Sequence, residues 1–257
     1  MIHSLFLSHG SPMLALEDAP TTRFLRALSA DIPKPKAIII ASAHWETKEP
    51  MLTGAVSPKT IHDFNGFPNE LYELQYPTKG DPELALRIQS MFNSAGILAG
   101  IDETRGLDHG AWNPLLLMYP NADIPVIELS VQPEQSARWH YNIGKVLESL
   151  RDEDILVIGT GNLTHNLYEA FRGGHKTAPA WVSEFAQWIE SKIKAGDVDS
   201  LLSWERLAPH ALKNHPTPEH FLPFFVALGA GGGLVKTKHL HDDVAMGVLA
   251  MDAYAFG

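Results

Sequence analysis

Short, unbroken apolar runs alternate along this chain with stretches where apolar residues recur every three or four positions. Leu5-Phe6-Leu7, Ala37-Ile38-Ile39-Ile40-Ala41, Ile124 to Val131 and Ile155-Leu156-Val157-Ile158 are the runs. Their β-branched content and length predict strands buried on both faces. Pro125 weakens the third run as a central strand, because proline cannot donate to a ladder.

Between the runs the period changes to that of helices. Phe24, Leu25 and Leu28, after a cap at Thr21 or Thr22, predict a helix ending before Pro33. Asp81-Pro82-Glu83 is a stronger start, with an N-cap and a proline in the first turn, and Leu84, Ile88, Met91 and Phe92 form its inner face. Gly96 suits the end of that helix. Gln135 to Leu150 and Pro179 to Lys194 continue the alternation, and the tryptophans at 181 and 188 fall on the inner spacing of the latter.

Asn214 to His220 predicts another helix start, with Thr217 as cap and Pro218 in the first turn, running to Gly229–Gly233. Leu234–His239 and Val244–Tyr254 predict a closing antiparallel hairpin. Thr60–Pro68 and Leu107–Trp112 fit neither period and read as ordered loops. No repeat, linker or low-complexity tract divides the chain. The expectation is one α/β domain over residues 1–257, with a mainly parallel central sheet flanked by helices and its active site at the carboxyl ends of the strands.

Three apolar runs end in the same way. Leu5–Leu7 leads to Ser8-His9-Gly10-Ser11-Pro12, Ala37–Ala41 to Ser42-Ala43-His44-Trp45-Glu46, and Ile155–Ile158 to a glycine-rich turn reaching His165. Histidines delivered by rigid strands to one sheet end are expected to converge. A fourth candidate stretch, His215 to Pro223, adds His220.

Composition narrows the chemistry. With no cysteine, disulfides and thiolate metal sites are excluded, which leaves imidazole as the soft ligand, suited to iron or zinc. Thirteen histidines against twenty Lys plus Arg is a high share, so metal or proton chemistry is the first place to look. A formal net charge of −10 argues against nucleic acid and anionic membrane surfaces as partners. No run approaches the ~18 apolar residues of a membrane span, and the amino terminus lacks a basic segment before its apolar stretch. The expected location is the cytoplasm.

Six ordered motifs then resemble one family: SHGSP at 8–12, SAHWET at 42–47, IHDFNGFP at 61–68, LDHGAW at 107–112, GNLTHN at 161–166 and HPTPEHFLP at 215–223. Together they look like the class III extradiol ring-cleavage dioxygenases, of the DOPA-dioxygenase type found in plants and bacteria. The resemblance covers nearly the whole chain. It implies a metal-dependent enzyme that opens small, DOPA-like catechols beside the diol with O2, giving a muconic semialdehyde-type product.

The resemblance also implies one divalent metal ion per chain, Fe(II) for activity, with Zn(II) as an alternative ion in purified protein. It makes His9, His44 and His220 the ligands. His165 becomes the acid/base, or a direct ligand when substrate is absent, and His109 points into the same pocket. Glu219 competes with His220 as third ligand, since neighbours on a helix point about 100° apart and one excludes the other; the subgroup's PEH favours His220.

Trp45, His62, Phe64, Tyr72 and Trp112 either line the ring pocket or pack beneath the loops. His3, His140, His175, His210, His239 and His241 are assigned surface or core roles. The competing reading is a zinc-dependent hydrolase on the same histidines, with Glu219 or Asp108 as general base.

Overall fold

The structure is a computed structural model, and it describes residues 4–175 and 177–257. In chain order the strands and helices are β1 (Ser4–Ser8), α1 (Pro20–Leu28), β2 (Ala37–Glu46), β3 (Met51–Thr53), α2 (Asn69–Glu73), α3 (Pro82–Ser94), β4 (Gly100–Asp102), α4 (His109–Met118), β5 (Val126–Val131), α5 (Ala137–Leu147), β6 (Ile155–Gly161) and α6 (Leu167–Arg172). They continue with α7 (Ala180–Ala195), α8 (Val198–Leu201), α9 (Trp204–Leu207), α10 (Ala211–Asn214), α11 (Leu222–Ala230), β7 (Lys238–His241), β8 (Val244–Ala245), β9 (Leu249–Ala250) and β10 (Ala253–Phe256).

The main sheet has eight strands in the order β4-β3-β5-β2-β6-β1-β10-β7. Its centre, β5-β2-β6-β1, is wholly parallel and comes from the apolar runs. On β2, side chains alternate between two apolar layers, as the two-residue period requires. Ile38 and Ile40 join Leu25, Trp112 and Leu115 from α1 and α4. Ile39 and Ala41 join Ile88, Ile143 and Val226 from α3, α5 and α11. Both faces are covered, so all four residues from Ile38 to Ala41 are fully buried. This is a single α/β domain with a mainly parallel sheet, as the sequence pattern predicts.

The antiparallel pairings sit toward the edges: β3 with β5 on one side, and β10 with β1 and β7 on the other. The C-terminal segment thus makes two pairings rather than one hairpin. Lys238–His241 pairs with Ala253–Phe256, while Val244–Ala245 turns back on Leu249–Ala250. Pro125 does not weaken β5, because the strand begins at Val126 and Pro125 needs only its carbonyl, which accepts from the Ile38 amide.

Several local expectations are corrected. Helix α1 starts at Pro20 without a side-chain cap; the Thr21 and Thr22 hydroxyls bond His241 and the Leu14 carbonyl instead. Helix α5 is shorter than its apolar pattern, opening on Ser136 as N-cap and tightening after Leu147 into a 3₁₀ turn. The strand from Ala37 does not stop at Ala41 but carries on through His44 to Glu46, with a register irregularity against β5 in that stretch. LDHGAW is not a loop: Asp108 caps α4 through the Ala111 amide, and His109 opens the helix.

The helix expected from Thr217 starts only at Leu222, with Pro223 in its first turn. Pro216 and Pro218 lack donors and disfavour helical backbone in the residues before them, so His220 lies in the turn ahead of α11. His3 lies outside the described residues.

Candidate metal centre

Three histidines meet at the carboxyl end of the parallel core. His9 follows β1, and its amide donates to the Gly161 carbonyl at the end of β6. His44 is carried by β2 itself. The His220 turn lies directly on β6, where its carbonyl accepts from the Asn162 amide at 2.9 Å. That approach demands glycine: a Cβ on Gly161 would fall 2.0 Å from the His220 carbonyl oxygen. The same holds at Gly159, where it would fall 2.0 Å from the Pro223 carbonyl oxygen. The glycines after the Ile155 run therefore serve packing: they let the His220 turn sit against the strand.

The ring nitrogens converge. His9 Nε2 lies 3.1 Å from His44 Nε2, which lies 3.3 Å from His220 Nε2. Each ring's other nitrogen meets an oxygen. His9 Nδ1 is 2.9 Å from Thr160 Oγ1, and that hydroxyl donates its own hydrogen to the Gly110 carbonyl. Thr160 can therefore only accept from His9, which places the proton on Nδ1. His220 Nδ1 donates to the Glu219 carboxylate at 2.8 Å, and His44 Nδ1 faces Asp63 Oδ2 at 3.3 Å. All three Nε2 atoms are left with bare lone pairs aimed at one another.

Burial also keeps these rings neutral. It is the leading cause that holds His9 and His220 well below the usual imidazole value, with the neighbouring histidines adding to it. His44 is lowered to about 4, first by burial and then by His109, against the carboxylates nearby. Three neutral imidazoles with facing lone pairs repel unless a cation lies between them. Two nitrogens bound at ~2.0–2.1 Å to one ion stand roughly 3.0–3.4 Å apart for ordinary bond angles, and the observed separations match. The oxygens behind each ring are the outer partners that orient ligating histidines. The donor set fits one metal ion.

Beside this cluster lies a cavity of about 730 Å³, bordered by His44, His109 and His165 but not by His9 or His220. His165 stacks on His220 with ring centroids 3.4 Å apart and planes 10° from parallel. Burial first, and then His215, lower its pKa to about 3 against the pull of Glu219. His109 donates from Nδ1 to Asp63 at 2.9 Å, and its amide donates to the same carboxylate at 2.8 Å. Burial pushes Asp63 up, but those bonds and the two histidines outweigh it and hold the acid at about 2. One ionised carboxylate thus orients both His44 and His109.

Below α4, Asp108 accepts from Ser42 and Arg105 and receives no cavity exposure. Glu219 is committed to His220. Both carboxylates that a hydrolase would use as base are thereby engaged, and neither borders the cavity. Glu219 and His220 lie in a turn rather than on a helix, and the two are hydrogen-bonded partners.

Of the five side chains considered for the ring pocket, Phe64 borders the cavity. Trp112 is fully buried and donates to the Ile61 carbonyl, and His62 bonds the Leu74 carbonyl. Trp45 lies under Arg105, and Tyr72 packs against Phe64. Sequence reasoning did not find the orienting roles of Thr160 and Asp63, nor Phe67, Phe171, Met246 and Met251 on the cavity wall. Asp63 stands beside His62 in IHDFNGFP, which is the one signal that pointed to it. The remaining histidines among the described residues have local partners. His140 accepts from the Gln132 amide, His239 bonds Asp252, His210 bonds Glu184, His241 bonds Thr21 and His175 lies 3.6 Å from Glu169.

Comparison with known proteins places the chain. Residues 3–256 match the family described as the catalytic LigB subunit of aromatic ring-opening dioxygenase. A 4,5-DOPA dioxygenase extradiol of Beta vulgaris is 42% identical over 257 residues, covering 98% of this chain and 96% of that one. One from Escherichia coli (strain K12) is 39% identical over 258 residues, with coverage of 99% and 94%. The crystal structure of an uncharacterized protein from Escherichia coli K12 superposes with a TM-score of 0.83 at 33% identity, covering 100% of both chains.

Proposed function

The chain belongs to the LigB family of aromatic ring-opening dioxygenases and is an extradiol dioxygenase that uses one metal ion; from that premise we propose its substrate, its ion and the role of each histidine. The substrate is a small DOPA-like catechol, opened beside the diol with both atoms of O2 to a muconic semialdehyde-type product. The whole chain, residues 1–257, acts as one catalytic domain. His9, His44 and His220 hold the ion, and Fe(II) is the active form, while Zn(II) suits the same imidazoles in purified protein. The convergence of three Nε2 lone pairs, each fixed by an oxygen behind its ring, carries this reading.

When bound, the ion lowers the pKa of a chelated catechol hydroxyl and brings diol and O2 together. The protein supplies the rest. His165 faces the cavity from its stack on His220, close enough to the ion site to accept the second hydroxyl proton. His109, fixed by Asp63 through two bonds, presents its other ring nitrogen as a hydrogen-bond donor or acceptor beside the reacting oxygens. Phe64 and Phe67 flank the space for the ring. No described helix is long and apolar enough to cross a membrane, and we place the protein in the cytoplasm.

The test is oxygen uptake. Protein loaded anaerobically with Fe(II) and given DOPA should consume equimolar O2 and turn yellow, whereas the Zn(II) form should not. Hydrolysis of esters or amides without oxygen uptake would overturn the proposal.

A further inference from the structure

The cavity beside the histidines is one-sided in charge. Among the described residues that border it, Glu17, Asp63 and Asp243 carry carboxylates, and none is Lys or Arg. Asp63 is engaged by His109. Asp243 accepts from Thr21 Oγ1 through Oδ2 at 3.3 Å, and its other oxygen has no partner among the described residues. Its neighbour His241 also bonds Thr21, and burial lowers that ring's pKa against the nearby carboxylates. The carboxylate of Glu17 stands at an exposed position on the same rim, with no ion pair among the described residues.

The volume of about 730 Å³ is far more than a bare catechol ring fills. A ring held near His44, His109 and His165 therefore projects its substituent along the remaining walls. The rest of the lining includes the apolar Leu14, Phe67, Leu167, Phe171 and Met246, together with Asp243 and Glu17. A formal charge entering apolar surroundings needs an opposite charge to compensate its lost hydration. The walls offer that to a cation and withhold it from an anion.

We infer that this site selects catechols whose side chain carries a protonated amine, received by Asp243 and Glu17, over catechols whose side chain ends in a carboxylate. The inference rests on the ring-opening reading above. A catechol bearing both charges, such as DOPA, falls between the two extremes.

The experiment compares kcat/KM from oxygen uptake for dopamine, DOPA, 3,4-dihydroxyhydrocinnamate and uncharged 4-methylcatechol, on the Fe(II)-loaded full chain. Dopamine should exceed the carboxylate compound by at least tenfold, and added salt should narrow the gap. Asp243→Asn retains an acceptor for Thr21 and should cut the preference about fivefold, the size of a half-exposed ion pair. Glu17→Gln, at a more exposed position, should cut it about twofold.

A second arm separates charge selection from chemistry. Tyramine and 4-hydroxyphenylpropionate lack the diol, and their binding to metal-free protein is read by calorimetry; tyramine should bind more tightly, and less so in Asp243→Asn. Equal kcat/KM for the amine and carboxylate catechols, or equal binding of the two phenols, overturns the inference. If no catechol is cleaved at all, the ring-opening reading fails, and the calorimetric comparison still decides charge selection.

Discussion

The floor and the mouth of the cavity are built on opposite principles. On the floor, His9, Thr160 and His220 are buried, and every ring nitrogen turned away from the cluster has an oxygen partner. At the mouth, Phe171 is 73% exposed and Met246 43% exposed, and these side chains contribute apolar surface rather than defined bonds. The floor is rigid because it rests on parallel strands and a glycine-permitted contact with the His220 turn. The mouth is assembled from a six-residue helix, α6, and the small β8–β9 hairpin. A substitution on the floor should therefore change chemistry, and one at the mouth should change only how substrate is held.

The sharpest break comes from removing a ligand. His44→Ala leaves two histidines and an open position, so metal content measured by elemental analysis should fall to a small fraction and ring cleavage with it. Stoichiometric metal in that variant would show that the Nε2 convergence is not the binding site.

His165→Gln separates floor from reaction. Glutamine keeps size and hydrogen bonding but cannot cycle a proton near neutral pH. The variant should keep its fold and most of its metal while turnover falls roughly 10²–10⁴-fold, the usual contribution of positioned proton transfer. Loss of the metal outright would make His165 a fourth ligand.

Glu219→Gln probes the outer partner. Gln keeps an oxygen for His220 Nδ1 but removes the charge, so metal affinity should weaken about tenfold, the low end of the 10–100-fold typical of such partners. A loss as complete as in His44→Ala would instead place Glu219 on the ion.

The same division governs what could be read in advance. The parallel core was legible because doubly buried strands need continuous apolar runs, and His9 and His44 were legible because they closely follow two of those runs. Local geometry was less so. The extension of β2 through His44 depends on pairing with β5 and β6, which no local period shows. The start of α4 at His109 depended on Asp108 acting as a cap, and the delay of α11 to Leu222 on two prolines whose effect outweighed an apparent capping pattern. Thr160 and Asp63 were hidden for another reason. Their roles depend on which nitrogen they face, and that is fixed by strands and loops far apart in sequence.

The smallest effect is expected at the mouth. Phe171→Ala removes a side chain that borders the cavity yet is mostly exposed, on a helix anchored by the Asn166 cap rather than by that ring. Exposed substitutions of this kind stay within about 0.5 kcal/mol, so the melting temperature should move by only about 1–2 °C. Metal content should be unchanged, because no ligand or outer partner is touched. The effect should appear as a rise in KM of roughly twofold to threefold with kcat retained, since a modest apolar contact made equally in ground and transition states is lost. A fall in kcat of tenfold or more would mean that α6 closes over the substrate during turnover, and the division between a working floor and a passive mouth would have to be abandoned.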